Sequence, residues 1–354
     1  MTHPTTQPPQ TTQTEVRLIR RPTGMPQADD FEFVTLAIPD LQADQVLIEA
    51  THLSLDPYMR GRMDDAKSYA AAVSLGTRME GGGVGRVIAT TSDKFQVGDT
   101  VFGMLGWATH AVLPATTLRR LDPTRAPVTT ALGVLGMPGF TGWYGLTELG
   151  RPKAGETLVV GAATGPVGSM VGQLAKLQGL RVIGIAGGPD KCALAKDTFG
   201  FDDCIDHRAY NSVRDLRHAI AQAAPDGVDI YFENIAGKTL DAILPLMNTH
   251  GRIPVCGMVS WYNAGALGAT STTQGPDTLP RLWRTILVSR LSVNGFIISD
   301  HWDRYGAFLA DVAPKLGHGI TYHEDITQGL DQIIPAFQRM LLGQNTGKTI
   351  VQVA

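Results

Sequence analysis

Apolar and polar positions change rhythm along this chain. From Glu15 to about Pro127 the apolar residues fall in short β-branched runs. These runs are QVLIEATHLSL, GVGRVIAT, TVFGML and HAVLPA, and turn signals such as QVGDT separate them. Runs of that kind predict the strands of an antiparallel sheet or barrel. After Met137 the texture differs. Apolar strands (TLVVG, RVIGIA, CIDH, VDIYFE, RIPVCG, LSVNGFII) alternate with the helical segments VGSMVGQLAKLQ, PDKCALAKDTF, VRDLRHAIAQAA and KTLDAILPLM. Strand and helix in alternation predict βαβ units and a parallel sheet. The whole set matches a doubly wound α/β nucleotide-binding fold. Near the end, DQIIPAFQRMLLG is helical, and GKTIVQV is a strand expected to rejoin the first sheet.

The segment VVGAATGPVGSMVGQLAKLQG carries the first chemical signal. A dinucleotide-binding turn usually reads G-x-G-x-x-G after a strand. Here Ala163 stands at the first glycine, followed by Gly165 and Gly168. Alanine suits that place if the turn needs no positive φ. Gly165 lets the backbone approach a pyrophosphate, and Gly168 lets helix and strand pack closely. Pro166 suits the first helical position, and the helix N-terminus offers N–H groups to phosphate. Val167, Met170, Val171, Leu174 and Leu177 form one apolar stripe. Ala163, Thr164, Gly165, Pro166 and Val167 are thus candidates to cradle a dinucleotide. The bland alternative is a packing turn of any βαβ protein.

The end of the second strand speaks to which dinucleotide. NAD enzymes place Asp or Glu there, for the ribose 2′-hydroxyl. This chain has IAGGPDK, so Ala186, Gly187 and Gly188 leave space without negative charge. Asp190, after Pro189, reads as a first-turn helix residue. Lys191 can supply a cation, although most helix lysines are simply solvated. The balance favours NADP(H).

Composition narrows the classes further. Lys plus Arg number 30 and Asp plus Glu 33, a net charge of -3 that suggests neither nucleic-acid nor membrane binding. No apolar run approaches the roughly 20 residues of a membrane span. The N-terminal MTHPTTQPPQTTQT lacks an apolar core and reads as a disordered arm over residues 1–14. A cytoplasmic location is the expectation. The 3 cysteines, Cys192, Cys204 and Cys256, show no C-x-x-C spacing, so neither a disulfide framework nor a four-cysteine zinc lobe is expected.

Several segments together, LSLDPYMRGRM, MPGFTGWYGL, GAATGPVGSMVGQLAKLQG, YFENIAG, VCGMVSWYN and NTGKTIV, carry a resemblance. The chain resembles the zinc-independent medium-chain dehydrogenase/reductases of the leukotriene B4 12-hydroxydehydrogenase/prostaglandin reductase type, which include alkenal and curcumin double-bond reductases. The resemblance runs in order through nearly everything after residue 15. It implies a GroES-like β-rich catalytic domain built from residues 15–136 and 318–354, with a Rossmann domain, 137–317, between them. It also implies NADPH-dependent reduction of the C=C bond of α,β-unsaturated ketones and aldehydes, a small-molecule enone or enal substrate and a homodimer. Catalytic zinc ligands are lacking. SLDPYMRGR has no cysteine, and RMEGGGVGRV has Met79-Glu80 with no histidine.

Without a Lewis acid, a hydride transfer needs another stabiliser for the developing oxyanion. Tyr262 in VCGMVSWYN follows the fifth strand, at the carboxyl edge where doubly wound folds bind ligands. By resemblance it is the acid or orienting group. A tyrosine that only packs the cleft is the alternative. By resemblance too, Tyr58 in DPYMR lines the substrate pocket, with a core aromatic as its alternative. Trp261 and Phe296 can form an apolar wall, or lie in a core. The resemblance adds cofactor contacts at Asn234, Cys256, Gly257, Tyr262, Phe296, Ile297 and Asn345. It also puts His207, where relatives usually have tyrosine, near the adenosine phosphate, and a cationic imidazole would favour that phosphate. The loops DDAKSYAAAVSLGTR and NAGALGATSTTQGPDTLP carry no periodicity, and the second reads as a lid. A quinone reductase of the same superfamily is the enzyme alternative, and an NADPH-binding protein without turnover is the other.

Overall fold

The computed structural model describes residues 12–66, 68–264 and 279–353. The textures read from the sequence become separate sheets. The strands Thr157–Gly161, Arg181–Ala186, Asp203–Asp206, Val228–Phe232, Met247–Val255 and Ser292–Gly295 pair in parallel into a 6-stranded sheet. Taken in chain order they lie 3-2-1-4-5-6, the doubly wound arrangement. Period-2 alternation divides the sheet between two cores. Leu158 and Val160 face the core of Phe140, Met170 and Phe308, while Val159, Ile183 and Tyr231 face that of Leu216, Ile220 and Ile243.

A second sheet of 7 strands takes its members from both chain ends. Gln45–Ser54 pairs with Gly83–Thr90 and His110–Pro114 on the N-terminal side, and with the C-terminal strand Lys348–Gln352. That strand rejoins the first sheet, as its apolar run predicts. Its other neighbour, Glu324–Gln328, is parallel to it. A third sheet, Phe31–Ala37, Thr12–Leu18 and Thr77–Arg78, completes the β-rich part.

Two sequence expectations are corrected here, and a third lies mostly outside the described residues. Thr12, Gln13 and Thr14, assigned to a disordered arm, are strand residues paired with Ala37, Leu36 and Thr35. The rest of the arm lies outside the described residues. Leu177, placed on the buried stripe, is 49% exposed, because the helix Pro166–Leu177 ends past the rim of the sheet. The lid segment falls outside the described residues over 265–278, and its last residues, Leu279 and Pro280, begin a helix, Leu279–Ser289. The helix Met137–Tyr144 was also illegible, because two glycines and a proline dilute its apolar period.

Candidate active site

The glycine loop leaves the buried strand Thr157–Gly161 and enters the helix through Gly165 and Pro166. Ala163 does not take a positive φ, and its N–H donates to the Ile185 carbonyl at 3.1 Å. The left-handed residue is its neighbour Ala162, with φ 51. That shift explains why alanine is tolerated at 163. Gly168 has no such freedom: a Cβ there would sit 2.3 Å from the Ala162 carbonyl oxygen. Gly184 also keeps space, since a Cβ there would sit 2.9 Å from that of Ala163. Gly165, at φ -68 and ψ 164, starts the helix beneath this turn, Thr164 is buried beside it, and Val167 packs on the core.

At the end of the second strand several cationic or titratable side chains gather. Gly188, with φ 103, turns the chain into the helix Pro189–Ala193, whose first turn holds Asp190 and Lys191. Asp206 holds this corner: its Oδ1 accepts from the Gly188 and Arg208 N–H groups at 2.8 and 2.9 Å. Arg208 and His207 lie over Gly187, where an added Cβ would meet Arg208 Nε at 2.8 Å and His207 Nε2 at 3.2 Å. Lys238 Nζ donates to the His207 and Tyr210 carbonyls. His207 is half-buried here. Burial, then the charges of Lys238 and Arg208, push its imidazole below the ordinary value of 6.5, so it is held neutral. Burial and Arg208 likewise pull the Lys191 ammonium downward. Arg208 was missed by the sequence reading; the signal available was its place just beyond the third strand, beside His207.

At the carboxyl edge of the central strands, YFENIAG and VCGMVSWYN meet. Glu233 is buried, and its Oε1 accepts from Tyr231 Oη at 2.9 Å and from the Ile235 and Ala236 N–H groups at 2.6 and 2.8 Å. Its backbone carbonyl takes the N–H groups of Cys256 and Gly257. Asn234 Nδ2 donates to the Gly161 carbonyl at 2.9 Å, which ties this edge to the glycine loop. Sequence reasoning passed over Glu233; a lone acid ending a buried strand was its only signal.

Tyr262 lies over Gly257, its oxygen 3.2 Å from where a Cβ would stand. Burial holds the phenol well above its ordinary value of 10.0. The proton is therefore kept, and the hydroxyl is a neutral donor. Burial and the Glu233 charge push the Cys256 thiol up to about 12, which keeps it neutral too. The helix Tyr58–Gly61 packs on the segment Val259–Ala264, so Tyr58 and Tyr262 come to one cleft. Tyr69, from the unpatterned loop, interacts electrostatically with Tyr58, Tyr262 and Cys256. No periodicity marked it beforehand.

The remaining candidates divide. Trp261 is 37% exposed at the cleft and is no core residue. Phe296 turns toward the helix Met137–Tyr144: its ring centroid lies 5.8 Å from that of Tyr144. Ile297 follows it and caps the next helical turn through its carbonyl. Asn345 sits on the C-terminal segment, its Nδ2 donating to the Gly347 carbonyl at 3.0 Å.

Comparison with known proteins agrees with this layout. Residues 14–121 match a family model described as the N-terminal domain of oxidoreductase, and residues 166–313 one described as zinc-binding dehydrogenase. Zinc does not fit the residues present: among the described residues, no group of three or more His, Cys, Asp or Glu could hold a metal ion. An NADPH-dependent curcumin reductase of Escherichia coli is 44% identical over 95% of this chain and 96% of its own length. A 2-alkenal reductase (NADP(+)-dependent) of Nicotiana tabacum is 38% identical over 94% and 95%. The crystal structure of CurA from Vibrio vulnificus in complex with NADPH superposes with a TM-score of 0.90 at 46% identity, covering 96% of this chain and 99% of that one. On these grounds the chain belongs to the zinc-independent medium-chain dehydrogenase/reductases of the prostaglandin reductase and alkenal/curcumin reductase type.

Proposed function

We propose that this protein is an NADPH-dependent oxidoreductase acting on CH–CH donors, which reduces the C=C bond of α,β-unsaturated ketones and aldehydes. The observation that carries the reading is Tyr262: a protonated, buried hydroxyl over Gly257, at the carboxyl edge of a doubly wound sheet. The names of the similar proteins, a curcumin reductase and a 2-alkenal reductase, support the substrate class.

The chain's residues fit the cofactor. The close approach enforced at Gly168 shapes the loop Ala163–Val167, which would hold a pyrophosphate, and Gly187, Lys191 and His207 would border the adenosine ribose. Asn234, Cys256, Gly257, Phe296, Ile297 and Asn345 line the way to the nicotinamide. Bound NADPH supplies a hydride to the β-carbon of the enone. Tyr262 donates its hydrogen bond to the enone oxygen, where negative charge grows as that carbon is reduced. Tyr58 and Trp261 hold the substrate against the cleft wall. The α-carbon takes its proton from Tyr262 or from water, so one enone, one NADPH and one proton yield the saturated carbonyl compound and NADP. Purified protein with NADPH and a panel of 2-alkenals, aryl enones and quinones tests this by loss of absorbance of the reduced cofactor. Enone-selective consumption is expected. Quinone-selective consumption, or none, overturns it.

The same proposal includes two domains, residues 15–136 with 318–354 and residues 137–317, a cytoplasmic location and a homodimer. Three free cysteines accord with a reducing compartment. The edge strand Ser292–Gly295 and the helix Leu279–Ser289 expose Trp283, Leu287, Val288 and Val293, an apolar edge suited to a second copy. Light scattering that reads a monomer at micromolar concentration removes the dimer.

A further inference from the structure

Lys191 and Arg208 converge on one neutral acceptor. Lys191 Nζ donates to the Gly343 carbonyl at 2.8 Å, and Arg208 Nη2 donates to the carbonyls of Gly343 and Leu342 at 3.2 Å each. These carbonyls close the helix Ile333–Leu341, whose C-terminal end carries partial negative charge. Two cations thus rest on a weak anionic site formed by the C-terminal segment, and both stand beside the second strand's end. The Nε edge of Arg208 faces Gly187, the position nearest to where a doubly wound fold places the adenosine ribose.

We propose that Arg208 is the residue that selects a 2′-phosphorylated cofactor over its unphosphorylated counterpart, with Lys191 as its auxiliary. This rests on the NADPH reading above and adds to it a residue that makes the choice. A guanidinium presents a planar fork of donors suited to two phosphate oxygens, whereas an ammonium is a point charge. Lys191 is half-buried and its charged form is disfavoured by burial and by Arg208 itself, whereas Arg208 is exposed beside the cofactor path. A phosphate outcompetes carbonyls for these donors, because hydrogen bonds between charged partners are roughly twice as strong as neutral ones. Gly187 is the matching half of the device. Any side chain there would meet the guanidinium, so glycine leaves Arg208 free to lie across the strand end.

The test is calorimetric binding of adenosine 2′,5′-bisphosphate and of 5′-AMP to the full chain and to Arg208→Gln and Arg208→Lys. Wild type is expected to prefer the bisphosphate. Arg208→Gln is expected to lose roughly tenfold to hundredfold of that affinity, as for a charged hydrogen bond, and to keep its 5′-AMP affinity. Arg208→Lys recovers only part of the loss. In turnover, the same variant raises KM for NADPH while leaving kcat and the NADH parameters in place. An unchanged bisphosphate-to-AMP ratio in a folded Arg208→Gln overturns the role of Arg208 alone. A wild type without any preference overturns the NADPH reading as well.

Discussion

Lys348 Nζ lies 2.5 Å from Asp56 Oδ1, with both side chains almost fully buried. The ammonium also donates to the Leu55 carbonyl at 2.7 Å, and Ser54 Oγ donates to the other Asp56 oxygen. This pair pins the C-terminal strand to the turn that presents Tyr58. Removing one partner leaves a buried charge alone, which costs about 3–5 kcal/mol. Lys348→Met is therefore expected to lower the denaturant midpoint sharply. The double variant Lys348→Met/Asp56→Leu should recover most of that loss. Urea titrations of the three proteins check it.

Tyr262→Phe removes the donor and keeps the ring. Turnover is expected to fall by roughly 100- to 1000-fold, the usual effect of one oxyanion donor. If the hydroxyl serves the substrate as proposed, KM for NADPH should change far less than turnover. Steady-state kinetics with an enone decide between this and a packing role, which predicts near-normal turnover. Because burial holds the phenol above its ordinary value, the rate should also show no loss of this donor up to pH 9 or so.

Gly168→Ala places a methyl 2.3 Å from the Ala162 carbonyl, a backbone atom held by the turn. The loop has to open, so NADPH affinity and melting temperature are both expected to drop. Gly165→Ala, where a Cβ would sit 3.3 Å from that oxygen, is the milder control. Fluorescence titration of NADPH ranks the two.

Lys191→Ala is expected to raise KM for NADPH and to leave NADH largely unaffected. An equal effect on both cofactors contradicts a phosphate contact. The lysine would then serve only its bond to the Gly343 carbonyl.

Three histidines give the fold an acid limit. His52, His110 and His207 are all pushed below the ordinary value of 6.5, chiefly by burial. Below 6.5 the unfolded chain binds protons that the folded chain refuses, so stability declines as pH falls. Above 6.5 this contribution is flat. Melting temperatures at pH 5, 6, 7 and 8 should fall on the acid side, and His207→Gln should flatten the slope.

The central strand of the parallel sheet was legible because it is buried along its whole length, and TLVVG reads as an apolar run. The closing strand GKTIVQV was legible from its apolar centre, Ile350 and Val351, which are buried. The packing role of Gly168 was readable, because that position admits no side chain; the left-handed turn at Ala162 was not. Arg208, Glu233 and Tyr69 were not readable. Each owes its place to segments distant in sequence: Arg208 to Gly343, Glu233 to Cys256, and Tyr69 to Tyr262. The lowered basicity of His207 was not readable, because only the fold brings Lys238 beside it.

By itself, the sequence determined the two β-textures, the parallel sheet, the dinucleotide turn and the uncharged end of the second strand. These follow from local periodicity and from the space a missing side chain leaves. Tertiary structure alone decided which cations share the Gly343 carbonyl, which phenol keeps its proton and which buried pair locks the chain ends together. Those outcomes depend on burial and on distances between residues far apart in the chain, and no local pattern encodes them.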